Sequence, residues 1–180
     1  MKIAYQGISG SYSESCAKKM YPGCKTIPCK TFDECFEKAS KDKSIKSIIP
    51  ESNKTTGNIG VEYLIFKFRL NIYAEHFFQI KHNLLGIKGS NIKDIKFVYS
   101  HAQALSQSSN FIKKNNLIGN VRADTAGSAK YISEKNDKTR AAIASKLSAE
   151  IYNLKILEKN IQDEKNNFTR FLLMGKEIYQ

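Results

Sequence analysis

Apolar positions along the chain alternate between short runs of strand character and longer stretches at helical spacing, with polar punctuation between them. Ile3-Ala4-Tyr5 reads as a strand, and the loop Gly7-Ile8-Ser9-Gly10-Ser11-Tyr12-Ser13 opens a helix through Met20, which Ser11 or Ser13 can cap. Lys25 to Cys29 is a second strand. Thr31 then caps a helix to about Ser40 with Phe32, Cys35, Phe36 and Ala39 on one face. Ile45 to Ile49 is a strand that Pro50 ends, and the polar loop Glu51–Gly57 leads into a helical pattern around Ile59 to Phe68. Asn71 to Ile87 is long for a strand and has no helical stripe, which predicts an extended crossing between two lobes. Phe97-Val98-Tyr99 is a strand ending in Ser100-His101, followed by a helix from Ala102 to Lys114. Asn120 to Ala123 is a strand, Asp124 or Thr125 caps a helix over Ala129 to about Glu134, Arg140–Ala144 is a buried strand, and a helix spans about Lys146 to Tyr152. Lys155 to Asp163 is a second stretched crossing, and Phe168-Thr169-Arg170-Phe171 with Leu172, Leu173 and Met174 is the last strand, leaving a polar loop for a core.

Strand–helix alternation of this kind predicts α/β architecture with mostly parallel sheets. The two crossings, near 70–88 and 155–170, divide it into one lobe of about 1–72 plus about 165–180 and another of about 73–164. Ligands in such a layout bind in the cleft between lobes. There the Gly7–Ser13 loop, the Asn53 loop, the Ser100–Gln107 turn and the Thr169 strand are expected to meet.

Composition narrows the classes. A hydrophobic content of 41% with 11% aromatics belongs to a folded chain. No apolar run approaches the roughly 20 residues that span a bilayer, and the N-terminus has no signal-peptide pattern, which points to the cytoplasm. The net charge of +12 comes from scattered lysines; Arg69, Arg122, Arg140 and Arg170 are the only arginines among 29 basic residues. A solvated lysine surface is expected, not a nucleic-acid partner, and it can attract an anionic metabolite. Cys16, Cys24, Cys29 and Cys35 form no C-x-x-C pair and have no histidine nearby, so buried thiols are expected rather than a metal site or disulfides.

Candidate chemistry gathers at strand ends, where open α/β sheets place ligands. The Gly7–Ser13 spacing fits neither the dinucleotide fingerprint nor the P-loop; it is either a plain strand-to-helix turn or a carboxylate cradle. Glu51 suits a surface carboxylate better than a general acid. His76 and His82 suit structural roles, and His101 suits capping better than proton transfer. Gln103 and Gln107 stand four apart on one helical face, turned either to solvent or to the strand edge. On the last strand Thr169 and Phe171 share a face and Arg170 takes the other, which sets a hydroxyl beside a ring with a guanidinium close by. A small anionic substrate with a hydrophobic ring suits that combination.

Ala4-Tyr5-Gln6-Gly7 with Gly10-Ser11-Tyr12-Ser13, then Tyr99-Ser100-His101-Ala102-Gln103-Ala104-Leu105, Ala141-Ala142-Ile143-Ala144-Ser145, Ile161-Gln162-Asp163 and Asn167-Phe168-Thr169-Arg170-Phe171 follow in an order and spacing that resembles the prephenate dehydratases. The resemblance covers nearly the whole chain. It implies two α/β lobes of the type II periplasmic-binding-protein kind, and conversion of prephenate to phenylpyruvate with loss of water and carbon dioxide in phenylalanine biosynthesis. It implies no cofactor, no metal and a homodimer. Thr169 matches the threonine essential for dehydration. Ser100 and Gln107 match substrate-lining residues, and Arg170 and Phe171 sit in the same motif. Asn53 and Ser11 are further expected substrate contacts. Arogenate as substrate, and a non-enzymatic small-anion binder of the same fold, are the alternative readings.

Two departures stand out. Where the family carries Pro-Ile-Glu-Asn-Ser, two residues and glycine, this chain has Pro50-Glu51-Ser52-Asn53-Lys54-Thr55-Thr56-Gly57. Read without gaps, Pro50, Asn53 and Gly57 match, while Ser52 replaces the glutamate and Lys54 the hydroxyl residue. The sequence also stops at Gln180, where family members continue into a regulatory phenylalanine-binding domain, so feedback inhibition of the usual kind is not expected.

Overall fold

The computed structural model of the protein describes residues 1–176. In chain order its elements are β1 (Lys2–Gln6), α1 (Tyr12–Met20), β2 (Lys25–Cys29), α2 (Phe32–Lys41), β3 (Ile45–Asn53), β4 (Gly57–Asn58), α3 (Glu62–Phe68), β5 (Asn71–Gln79) and β6 (Asn83–Gly86). After a 3-10 turn at Ile92–Asp94 come β7 (Phe97–Ser100), α4 (Ala102–Ser106), α5 (Ser109–Lys114), β8 (Ile118–Val121), α6 (Thr125–Lys135), β9 (Arg140–Ala144), α7 (Lys146–Ile151), β10 (Lys155–Glu158) and β11 (Phe168–Gly175). Among the described residues no helix is long and apolar enough to cross a membrane.

The chain divides into two compact units. The first contains Met1–Ile8, Tyr12–Ile80 and, among the described residues, 166–176; the second contains Ser9–Ser11 and Lys81–Lys165. The first unit therefore runs to Ile80, past the boundary near 72 expected from sequence. The reason is that β5 pairs along its whole length with β11 and belongs to the same sheet. The expected assignment of residues 177–180 to the first lobe lies outside the described residues.

The first unit holds a sheet ordered β2-β1-β3-β11-β5, with β4 paired to β3. β1 is parallel to β2 and β3, and β11 is antiparallel to both β3 and β5. Both faces of the sheet are covered, so its central strands are apolar on alternate residues in both directions. Ala4, Ile49, Leu172 and Met174 pack with Cys35, Phe36 and Ala39 of α2 and Leu64 of α3. Ile3, Tyr5, Ile48, Phe171 and Leu173 pack with Cys16 and Ala17 of α1. As the sequence predicted, Thr31 caps α2, its side chain accepting from the Glu34 N–H at 3.1 Å.

Pro50 does not end β3. The strand continues to Asn53, and the register against β11 slips between Arg170 and Phe171, which oppose Ser52 and Pro50. Glu51 is the extra residue of this bulge. Proline is tolerated there because β1 pairs only as far as Ser47 and a bulge relaxes the ladder.

The second unit holds a sheet ordered β10-β6-β9-β7-β8, with β7 parallel to β8 and β9, and β6 antiparallel to β9 and β10. The stretch from Asn71 to Ile87, read from sequence as one crossing, is two strands in two sheets, with the chain leaving the first unit at Ile80 and entering the second at Lys81. Lys155–Glu158, read as a crossing, is an edge strand of the second unit. The helix expected over Ala102–Lys114 is two helices that break at Gln107 and Ser108. Asp124 caps α6 through the Gly127 N–H, and His101 caps α4 through the Gln103 N–H at 3.2 Å.

Candidate functional site

β11 organises the first unit's polar centre. Side chains alternate across a strand, so Thr169, Phe171 and Leu173 face α1 while Arg170, Leu172 and Met174 face α2 and α3. Register sets Asn53 of β3 and Phe78 of β5 directly opposite Thr169 on its two sides. The Asn53 amide nitrogen donates to Thr169 Oγ1 at 2.8 Å and to Asn167 Oδ1 at 2.9 Å. Its oxygen accepts from the Thr55 N–H at 2.9 Å and from the Thr55 hydroxyl at 2.7 Å. Asn53, Asn167 and Thr169 are all buried. Both amide hydrogens of Asn53 are thus engaged within the protein, and its role is to hold Thr169, not to donate to a ligand as expected from sequence. Thr169 uses a lone pair in this contact, and among the described residues nothing accepts its proton. A hydroxyl held through its acceptor side is ready to give a hydrogen bond or a proton to an incoming oxygen.

Arg170 has different company. Its Nε lies 2.7 Å and one terminal nitrogen 2.6 Å from Glu75 Oε2, and the other terminal nitrogen lies 3.3 Å from Glu51 Oε2. Glu75 sits on β5 and Glu51 on the β3 bulge, so the guanidinium that the sequence offered to a substrate carboxylate is already flanked by two carboxylates. Glu51, weighed as a general acid, is the half-buried partner of Arg170 and also accepts from the Ser52 hydroxyl. Phe171 corrects its sequence assignment more sharply. It is 2% exposed, packs edge-on to Phe78 with ring centroids 6.1 Å apart, and belongs to the core, because it shares the covered face with Leu173. A cavity of about 440 Å³ opens on the first unit, lined by Ser52, Asn53, Lys54, Phe77, Phe168 and Arg170. Its lining sets two rings beside Lys54 and an Arg170 whose charge is already met by Glu51 and Glu75, on the side of β11 away from the Thr169 side chain. Phe77 and Phe168 were not singled out from sequence; the alternation that placed Arg170 opposite Thr169 also puts Phe168 on Arg170's face.

The remaining candidates lie on the second unit. Ser100, at the end of β7, has no exposed surface and donates its hydroxyl to the Ile143 carbonyl of β9 at 2.6 Å. That hydrogen bond ties the sheet together and corrects the expectation of a substrate-facing hydroxyl, since the proton is already spent. Gln107 caps the C-terminus of α4, and its Oε1 lies 2.8 Å from Nε2 of buried His82. Burial lowers the His82 pKa, with the Gln107 contact opposing, so the ring is neutral near pH 7 and donates its Nε2–H to that oxygen. The His82 N–H donates to Gln162 Oε1 at 2.9 Å, and the Asp163 N–H to the Gln107 carbonyl at 2.6 Å. Sequence reasoning gave His82 a structural role but missed its partner 25 residues on. Ser11 is half-buried beside Gly10, whose carbonyl accepts from the hydroxyls of Ser145 at 2.6 Å and Ser148 at 2.9 Å, while Tyr152 donates to the Ser9 carbonyl at 2.6 Å.

All four cysteines are free thiols, and Cys16, Cys29 and Cys35 are buried; burial, against the pull of Lys19, pushes the Cys16 thiol up to about 12. Among the described residues no group of three or more His, Cys, Asp or Glu side chains comes together to hold a metal ion.

Comparison with known proteins agrees with this arrangement. "Arogenate dehydratase 2" of Petunia hybrida is 42% identical over 178 residues, covering 98% of this chain and 45% of that protein. "Arogenate dehydratase/prephenate dehydratase 2, chloroplastic" of Arabidopsis thaliana is 41% identical over 178 residues, covering 98% and 47%. The chain spans about half the length of these curated relatives. Among solved structures, the prephenate dehydratase of Staphylococcus aureus superposes with a TM-score of 0.87 at 25% identity, covering 99% of this chain and 67% of that one. A protein described as GqqA, a novel type of quorum quenching acylase, superposes with a TM-score of 0.93 at 32% identity, covering 100% and 66%. The lipoprotein Tp32 of Treponema pallidum, at 7% identity and a TM-score of 0.50 over 98% of this chain and 83% of its own, shares the fold alone. The sequence model for prephenate dehydratase matches residues 3–178, nearly end to end. On that match, the chain belongs to the prephenate dehydratase family.

Proposed function

We propose that this chain catalyses the decarboxylative dehydration of prephenate to phenylpyruvate, a step of phenylalanine biosynthesis. The observation that carries the proposal is the buried Asn53–Thr169 contact, which fixes the threonine oxygen and leaves its proton to give. In the proposed step the bond between the ring carbon and its carboxylate breaks, and carbon dioxide leaves. The freed electron pair enters the ring, and the carbon–oxygen bond at the opposite ring carbon breaks. Thr169 donates to the departing oxygen, so that one proton, replaced from solvent, turns it into water. Charge balances: a dianion and a proton give a monoanion, carbon dioxide and water. Aromatisation supplies the driving force, so the protein need only assist the leaving group and hold the substrate.

The ring is proposed to rest on the Thr169 side of β11 in the first unit; the cavity bounded by Phe77, Phe168, Lys54 and Arg170 opens on the other side of that strand. Arg170 shapes its wall, its charge set against Glu75 and Glu51. Gln107 and Ser11, carried by the second unit, are proposed substrate contacts, checked by the KM of Q107A and S11A. The proposed compartment is the cytoplasm, although relatives with a location in their names are chloroplastic, and the proposed assembly is a homodimer, which light scattering measures.

Arogenate is the second reading, favoured by the names of the plant relatives. Purified protein is incubated at alkaline pH, where prephenate does not decompose by itself, with prephenate or arogenate, and phenylpyruvate or phenylalanine is quantified by chromatography against buffer and against T169A. The higher kcat/KM assigns the substrate. Equal conversion by protein and buffer with both substrates removes the enzyme reading and leaves a binder of small anions.

A further inference from the structure

The amide of Asn53 has two orientations of nearly equal shape, related by a half-turn, and only one of them hands an N–H to Thr169. In the other orientation Oδ1 faces Thr169, accepts the hydroxyl proton and takes it away from any ligand. What selects the first is on the opposite side of the side chain. The Thr55 N–H, at 2.9 Å, forms an Asx-turn with Oδ1, and the Thr55 hydroxyl adds a second donor at 2.7 Å, with the Thr56 hydroxyl more distant at 3.4 Å. Asn167 Oδ1 receives the amide hydrogen that does not go to Thr169. This matters for the loop that departs from the family pattern. The position after Asn53 is Lys54 instead of a hydroxyl residue; its side chain is exposed, and its N–H is bound to the Phe168 carbonyl at 2.9 Å.

We propose that Thr55 is a positioning residue for the reaction: acting through Asn53, it fixes the amide in the orientation that leaves the Thr169 proton available. This rests on the assignment of Thr169 as the donor to the leaving oxygen. Thr55 itself is exposed and touches Asn53, so its effect falls on turnover and not on substrate affinity.

The test is a set of full-length variants. T55V is isosteric and removes only the hydroxyl donor. Its kcat is expected to fall about threefold to tenfold, the size of losing one ordinary hydrogen bond, with KM within about twofold and a melting temperature lowered by no more than about 6 °C. T55S restores kcat. In an N53A background T55V has no further effect, because the group it orients is gone. Independently of turnover, hydrogen exchange of the Asn53 side-chain amide, read by NMR with N53D to assign the peaks, is faster in T55V than in the unaltered protein. A T55V kcat equal to the unaltered value, a loss of the same size in the N53A background, or unchanged exchange of the Asn53 amide overturns the proposal. If the unaltered protein turns over neither substrate, the dehydratase reading fails, and the exchange comparison still decides whether Thr55 sets the amide.

Discussion

Replacing Thr169 with valine removes one oxygen and almost no volume, and the structure separates its two effects. The first is on stability. Asn53 loses the acceptor 2.8 Å from its amide nitrogen inside a buried cluster, which leaves one N–H unsatisfied at a cost of about 1–3 kcal/mol. For a chain of this size the melting temperature falls by roughly 2–12 °C. A domain with a net stability of about 5–15 kcal/mol still stays more than roughly nine-tenths folded at 25 °C. The second effect is on the barrier. A positioned proton donor contributes about 10²–10⁴-fold, which is roughly 2.7–5.4 kcal/mol. Loss of folded protein therefore accounts for at most about a tenth of the activity, and the rest is chemistry. Phenylpyruvate formation from prephenate, with the folded fraction followed by circular dichroism at the same temperature, reads both. T169S keeps the hydroxyl and is expected to hold kcat within about tenfold. A T169V enzyme within threefold of the unaltered kcat would falsify the assignment of Thr169.

The other predictions probe the parts around it. F171L removes a core ring, not a substrate contact, so it is expected to cost about 1–2 kcal/mol in urea denaturation, chiefly the edge-on contact with Phe78, while KM stays unchanged; a raised KM with full stability would return Phe171 to the substrate contacts. His82, with its pKa lowered by burial, adds stability that is fully present above the unfolded value of about 6.5 and is lost as pH falls through the folded value. Unfolding free energy should therefore drop below about pH 6.5 by up to roughly 1.4 kcal/mol per unit, and H82Q should flatten that part of the slope. In G10A the new Cβ would lie 2.5 Å from Ser148 Oγ at a backbone φ of +96°, so the urea midpoint is expected to fall by the equivalent of about 1–3 kcal/mol, with partial recovery in G10A/S148A; additive losses would show that the clash is not the cause.

Much of this was legible from local pattern. Thr31, Asp124 and His101 announced caps because capping needs only a polar side chain within a few residues. Thr169 and Phe171 fell on one face because alternation is a property of any strand. What failed required a partner far along the chain. Pro50 looked like a terminator until β11 supplied the bulge that accommodates it, more than a hundred residues later. Arg170 looked available because Glu75 and Glu51 lie 95 and 119 residues away in sequence. Phe171 was read as a substrate contact because it shares a strand face with Thr169 and sits in the family motif; the covered face it occupies is decided by Ile48 and Tyr5. The long helix expected after Ser100 breaks at Gln107, where the backbone closes on Asp163, a contact no periodicity encodes.

The order β3-β11-β5 has a consequence for how the molecule is made. The two flanking strands emerge from the ribosome before the second unit, yet the piece that belongs between them is translated after it. Until then they must wait with a gap, each presenting unpaired backbone, and a chain cut short before residue 168 would keep that gap open and be prone to clump. The hydroxyl proposed as proton donor rides on the segment that closes it, so under that proposal turnover doubles as a signal that synthesis has passed β11.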